Sequence, residues 1–375
     1  VEQKLREQGF FQIKEQTVKF HNKLRRSTLL RAGVAALAFA GFASHSITAQ
    51  AQVDVPLVES GSSLLYPLFN LWVEGYTAEN PNADITTTST GSGAGIAQAI
   101  KGLINIGASD AYMSDALVKK NPTMLSIPLA ISSQAINYNL PGVTNLHLSG
   151  PILADIYTGK VTKWNDPEIA AANPGVTLPA TTITPIHRLD GSGDTFIFSQ
   201  YLAASDPSWA STLKFGTTIS WPPITGEIGA KGNAGMLAAL AANPGGIAYI
   251  GISYAGKVAA DNLGQAALLN ADGNYVLPTP ENIAAAANSV VNTTPPDERI
   301  SMIFAHGANA YPIVNYEYAI VDSAQQATAV AGAIRSFLTF AITEGNNASY
   351  LKQVNFLPLP PPIQALSTTQ IAKIQ

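Results

Sequence analysis

Four times along this chain of 375 residues, a short β-rich run gives way to a small polar turn at which a helical pattern can start. The turns are Gly61-Ser62-Ser63, Gly91-Ser92-Gly93, Ser109-Asp110 and Gly191-Ser192-Gly193-Asp194. The first run covers 55–58. Leu65, Leu68, Phe69, Trp72, Val73 and Tyr76 then recur at helical spacing until Asn80-Pro81-Asn82 stops the helix. Residues 84–89 and 104–108 read as further strands, and Ile96, Ile100 and Leu103 share one helical face. Repeated strand, turn and helix specify an α/β protein. In such folds ligands settle beyond the carboxyl ends of the strands, where helix N-termini present unpaired N–H groups and a positive dipole end.

A second region begins after Ile131-Ser132-Ser133. It holds the run 152–157, the loop Trp164-Asn165-Asp166-Pro167, and an apolar run, 182–186, that leads directly into His187-Arg188-Leu189-Asp190. Phe196, Ile197, Tyr201 and Leu202 continue as a helix. Residues 246–252 read as a buried strand, 311–321 as another β-rich run, and 324–342 as a long helix. The proline-rich stretch 358–362 reads as extended. There is no internal repeat and no heptad pattern.

Charged residues make up 12% of the chain and hydrophobic residues 46%, which favours large cores over disorder. With no cysteine, a disulfide framework, a thiolate metal site and a lipid-attachment thiol are all excluded. No His/Asp cluster has metal-ligand spacing, and neither a dinucleotide fingerprint nor a phosphate-cradling P-loop is present, so no cofactor is expected.

Residues 1–51 read as an export signal. Lys19, Lys23, Arg25, Arg26 and Arg31 form a basic stretch, 32–43 is apolar but too short to span a bilayer, and Ala49-Gln50-Ala51 is a small-x-small cleavage site. Cleavage is expected after Ala51. The route is either the general secretory one or, given Arg25-Arg26, the twin-arginine one. Residues 1–17 are polar and mixed in charge, and are expected to lie upstream of the true start. Residues 1–51 contain four lysines, four arginines and three glutamates, a net +5, so the remainder carries −9 against −4 for the whole chain. That sign argues against nucleic acid or an anionic membrane as partner. An anionic ligand therefore needs a local site that overcomes the general field.

Arg188 alone brings a full positive charge beside one of the four turns. Its planar fork suits an oxyanion, and Asp190, two residues on, can orient it. Asp110 and Asp194 should repel an anion unless that anion carries a proton they can accept, so they would admit a protonated oxyanion and reject sulfate. The alternative for both is helix capping. A Gly-Ser turn alone is commonly structural, and these features do not by themselves name the ligand.

Taken in order, the turns resemble those of the phosphate-binding proteins that serve bacterial ABC phosphate importers. So do Ile106-Gly107-Ala108-Ser109-Asp110-Ala111, Thr158-Gly159-Lys160, Trp164-Asn165-Asp166-Pro167, Gly246-Ile247-Ala248-Tyr249-Ile250-Gly251 and Tyr311-Pro312-Ile313. The resemblance runs from about Pro56 to the end. It implies a two-lobed periplasmic binding protein fold of type II, with phosphate in a cleft between two doubly wound α/β lobes, 53–134 plus 312–375 and 135–311. It also implies roles for single residues. Ser63 and Ser92 would give hydroxyl donors, Leu64 a backbone N–H, and Asp110 the acceptor for the phosphate proton. Arg188 would be the single arginine, held by Asp190, with Ser192 and Gly193 as further donors. Asp194 departs from the version with threonine and leaves the preferred charge state of phosphate open. The implied partners are inorganic phosphate, an inner-membrane permease and its ATPase, with a monomeric, untethered protein that is periplasmic or released beyond the outer membrane. Three rivals stand beside this reading. One is a secreted phosphatase or related hydrolase, with Ser192 as nucleophile and His187 as base. The second is a binder of another oxyanion. The third is a secreted adhesin or scavenger without a transporter partner.

Overall fold

A computed structural model describes residues 55–375; the expected export signal, its cleavage site and residues 1–17 lie outside the described residues. The strands are β1 (Leu57–Gly61), β2 (Ile85–Ser89), β3 (Ile106–Ser109), β4 (Met124–Tyr138), β5 (His147–Leu148) and β6 (Thr184–Arg188). They continue as β7 (Ile228–Ala230), β8 (Gly246–Gly251), β9 (Gly264–Gln265), β10 (Ala267–Leu269), β11 (Tyr275–Val276) and β12 (Val314–Asp322). One continuous sheet runs β2-β1-β3-β12-β4-β8-β6-β7, with β9 beside β4. Its two ends are parallel triplets, β2-β1-β3 and β8-β6-β7. Antiparallel β12 and β4 join them. Strand β4 pairs with β12 as far as Ser133 and with β8 from Gln134 onward. The result is a two-lobed α/β fold whose connection passes through one long strand.

Parallel strands need crossovers, and helices supply them. Helix Tyr66–Glu79 follows β1 and buries Leu68, Phe69, Trp72 and Tyr76. Trp72 Nε1 donates to the Gly345 carbonyl at 2.8 Å, tying that helix to the C-terminal segment. Trp164, in the loop noted from sequence, is fully buried and donates to the Gly245 carbonyl at 2.9 Å.

Two expectations change, and one long strand appears that the sequence reading did not single out. Strand β4 has 15 residues and is buried along nearly its whole length. With both faces covered it shows no alternation, so periodicity gave no sign of it. The proline stretch is not extended throughout, because Pro361 and Pro362 open the helix Pro361–Ile371. Proline belongs in a first turn, where its missing N–H is not needed. Leu103 lies beyond the helix Ser92–Ile100 and is 67% exposed, so it is no part of that helix's buried face.

Candidate functional site

The carboxyl ends of the two parallel triplets face each other. From the first come Ser62 and Ser63 after β1, Ser92 at the start of helix Ser92–Ile100, and Asp110 after β3. From the second come Arg188, the last residue of β6, the helix start Ser192-Gly193-Asp194, and Asn233 after β7. Direct bonds cross the interface. Gly93 N–H donates to the Gly191 carbonyl at 2.9 Å, and Ser63 Oγ accepts from both the backbone N–H and the Nδ2 of Asn233 at 3.0 Å. Ser253 Oγ donates to the Leu64 carbonyl at 2.8 Å. Two glycines permit this approach. A Cβ on Gly91, whose φ is +91°, would lie 2.6 Å from Asp190 Oδ2 and from the Gly191 carbonyl. A Cβ on Gly193 would collide with Asp110 Oδ2 and Ser92 Oγ.

Arg188 is the charged centre, with its side chain 1% exposed. Its Nε donates to Asp190 Oδ1 at 2.7 Å, Nη2 donates to Asp190 Oδ2, and Nη1 donates to Asp194 Oδ2 at 2.6 Å. Burial opposes the guanidinium charge, but its bonds to Asp190 and the charges of both carboxylates hold its pKa above the ordinary value. A guanidinium has five N–H donors. Three are placed on carboxylates, so two remain for a ligand. Tyr249, buried beneath, accepts the Arg188 backbone N–H at 2.9 Å through its hydroxyl and fixes the strand end.

The three aspartates are not equivalent. Burial would raise Asp190, yet its bonds from Arg188 bring its pKa below the ordinary value. Asp194 is held by three bonds: Oδ1 accepts from Gln134 Nε2 at 3.1 Å, and Oδ2 accepts from Arg188 and from Asn233 Nδ2 at 2.7 Å. Burial still pushes its pKa up. The cap of helix Gly193–Ser205 is Ser192, whose Oγ accepts the Thr195 N–H at 3.2 Å, and not Asp194. Asp110 is different again. Ser62 Oγ donates to its Oδ1, while its buried Oδ2 has no partner. Burial, and then the charge of Asp194, push Asp110 up to about 7.

Of the remaining expected donors, Ser92 Oγ accepts the Asp110 N–H at 3.2 Å, which leaves its own proton available. Gly193 and Asp194 occupy the first turn of their helix, where N–H groups have no intrahelical partner. The Leu64 N–H donates to Ser62 Oγ at 3.0 Å. The structure also adds residues that the sequence did not single out. Ser62 collects the Leu64 and Leu65 N–H groups and passes its own proton to Asp110. Gln134 and Asn233 hold Asp194, and Glu317 lies within hydrogen-bonding reach of Asp110. Ser62 belongs to a turn already recognised, whereas the other three carry no local motif. Beside the cluster opens a cavity of about 470 Å³, lined in part by Ser63, Gly91, Asp190, Lys231, Asn233 and Tyr254.

His187 does not serve Ser192. Its ring stacks on Trp221, Nδ1 lies 3.2 Å from the Arg188 carbonyl, and Nε2 lies 4.0 Å from Glu227.

A family model described as a PBP superfamily domain matches residues 46–344. The phosphate-binding protein PstS of Xylella fastidiosa strain Temecula1 is 34% identical over 316 residues, covering 84% of this chain and 84% of that protein. The PstS of Pasteurella multocida is 32% identical over 321 residues, covering 85% and 90%. Among solved structures, a high-affinity periplasmic phosphate-binding protein bound with phosphate superposes with a TM-score of 0.67 at 20% identity, covering 85% of this chain and 93% of that one. A phosphate-binding protein from Stenotrophomonas maltophilia superposes at 0.62 with 18% identity, covering 84% and 93%. The fold of these structures is therefore the fold of this chain.

Proposed function

The chain belongs to the PstS family of phosphate-binding proteins, and on that premise we propose that it captures inorganic phosphate in the periplasm and delivers it to an ABC-type phosphate importer. One observation carries the reading. A buried carboxylate oxygen without a hydrogen-bond partner among the described residues, Asp110 Oδ2, sits beside Ser92 Oγ and the helix start at Gly193, which offer donors. Only a ligand that accepts many hydrogen bonds and donates at least one suits that mixture. A protonated tetrahedral oxyanion does so, and sulfate near neutral pH does not.

In this proposal the two unspent N–H groups of Arg188, the hydroxyls of Ser63, Ser92 and Ser192, and the N–H of Gly193 donate to phosphate. Asp110 accepts the phosphate proton. Asp190 orients the guanidinium. Asp194, bonded by Arg188, Gln134 and Asn233, acts as a second holder of Arg188, with one lone pair of Oδ1 left for the ligand. The Leu64 N–H is committed to Ser62 and is left out of the shell. The lobes are 53–134 plus 312–375 and 135–311, with the hinge where β4 changes partner. We further assign a monomeric protein, freed by cleavage after Ala51 and serving an inner-membrane permease and its ATPase. Among the described residues no helix is long and apolar enough to cross a membrane.

The phosphatase alternative needs a base at Ser192. The nearest candidate, His187, is engaged with Trp221 and its own backbone instead. Calorimetric titration with phosphate tests the binding claim: saturable one-to-one binding is expected. A preparation that hydrolyses a chromogenic phosphate ester, with turnover abolished in Ser192→Ala, would overturn it.

A further inference from the structure

Glu317 is fully buried on β12, beside the point where the lobes join. Its Oε1 accepts from Ser132 Oγ and, at 3.0 Å, from Asn315 Nδ2. Its Oε2 is buried and has no partner. The neighbouring carboxyl, within hydrogen-bonding reach, is that of Asp110, which has an orphaned oxygen of its own. Asn315 Nδ2 fixes the pair further by donating to the Asp110 backbone carbonyl at 3.3 Å. Two carboxylates in contact and out of water cannot both be ionised, whereas one shared proton gives each a partner.

The surroundings decide which of the two carries that proton. Glu317 faces Ser132 on β4, Asn315 on its own strand and Asp110 beyond β3, with no cation among these described partners. Asp110 faces Ser62, Ser92, Asp194 and the positive charge of Arg188. Burial, followed by the charge of Asp110, pushes Glu317 well above the ordinary carboxyl range, whereas at Asp110 the bond from Ser62 and the charge of Arg188 favour the ionised form. The proton therefore belongs on Glu317.

We propose that Glu317 is a positioning residue for the oxyanion site: as a neutral acid it donates its proton to the Asp110 carboxylate, which holds Asp110 ionised and ready to accept from the ligand. A carboxylate has about four lone-pair sites, so Asp110 can take Ser62, Glu317 and a ligand proton together. The role in selectivity rests on the phosphate reading above, but the protonation of Glu317 does not. The device also resolves a problem of charge. With Asp110, Asp190, Asp194 and Glu317 all ionised around one arginine, the cluster would carry −3 before any anion entered. A neutral Glu317 removes one of those charges while keeping Asp110 as an acceptor.

Two measurements on the full chain test this. The first is an infrared difference spectrum, wild type minus Glu317→Gln, at pH 7 without phosphate. A protonated-carboxyl C=O band in the wild type, lost in the variant, is the expected result. No lost band overturns the proposal, whatever the ligand is. The second is titration with phosphate and sulfate. Glu317→Leu removes the donor, so Asp110 becomes protonated at neutral pH, and the preference for phosphate over sulfate falls about tenfold or more. Glu317→Gln restores a neutral donor and brings that preference back. If Glu317→Gln instead tightens both anions tenfold or more, a negative charge has been removed and the proposal fails. Should the leucine variant not fold, the glutamine variant and the spectrum decide. A wild type that shows the band but binds no phosphate would sink the phosphate reading alone.

Discussion

Replacing Arg188 with lysine keeps the charge and removes the fork. In the structure three of the five guanidinium donors are committed, two to Asp190 and one to Asp194 at 2.6 Å, and two remain. A lysine ammonium has three donors on one atom, on a stem that cannot span both carboxylates and the ligand. It would be drawn to the two aspartates and offer phosphate at best one bond. Two charge-assisted bonds to the ligand contribute about 3–6 kcal/mol. Retaining one leaves a loss of about 1.5–3 kcal/mol, or roughly 10- to 150-fold in Kd. Calorimetric titration with phosphate at pH 7.5 reads this directly, and a thermal melt of the free protein separates a binding defect from unfolding. If Arg188→Lys folds and binds within threefold of wild type, the guanidinium is not the anion's anchor, and the assignment of this cluster is wrong.

Asp110→Asn should raise sulfate affinity at least about tenfold in competition titrations, because the group that repels an unprotonated anion is gone. Unchanged sulfate binding would remove Asp110 from the shell. Gly193→Ala places a methyl against Asp110 Oδ2 and Ser92 Oγ, so the lobes cannot seat fully. An overpacking penalty of about 1–3 kcal/mol predicts phosphate binding about 5- to 150-fold weaker, with X-ray scattering showing a more open phosphate-loaded form. Glu298, remote from the site, is buried with Oε1 accepting from Ser367 Oγ at 2.8 Å and Oε2 without a partner. Burial pushes it up to about 8. A carboxyl raised in the folded state contributes stability that is fully present below its unfolded pKa and is lost as pH rises through its folded one. Glu298→Gln should therefore match wild type near pH 5 and exceed it by up to about 4 kcal/mol at pH 9, measured by denaturant unfolding. Equal gains at both pH values would contradict that origin.

The parts of this architecture readable from sequence were the local ones. Each strand-to-helix junction concentrates its information in three or four residues, because glycine and serine satisfy helix starts in their own way. Arg188, Asp110, Ser92 and Ser192 were visible for that reason. Asn233 was not: it follows β7, three half-exposed residues with no signature of their own, and reaches Asp194 only through the tertiary fold. Gln134 and Glu317 sit on strands buried on both faces, where a polar residue looks like an interruption of the core and not a part of a site. The turn Gly61-Ser62-Ser63 was recognised, but composition cannot say which serine turns inward to Asp110 and which faces Asn233. That division depends on the path of the backbone past β3. The same limit applies to Asp194: its place in the motif is local, but its three partners come from β4, β6 and the helix after β7.

The central claim is that one buried arginine and one proton-accepting carboxylate select a protonated oxyanion. Its most direct test is a pair of calorimetric titrations of the wild-type protein at pH 7.5, one with phosphate and one with sulfate. The predicted result is one-to-one phosphate binding with sulfate at least about 100-fold weaker, the penalty of more than about 2.7 kcal/mol expected when Asp110 meets an anion with no proton to give. Equal affinity for the two anions would contradict it.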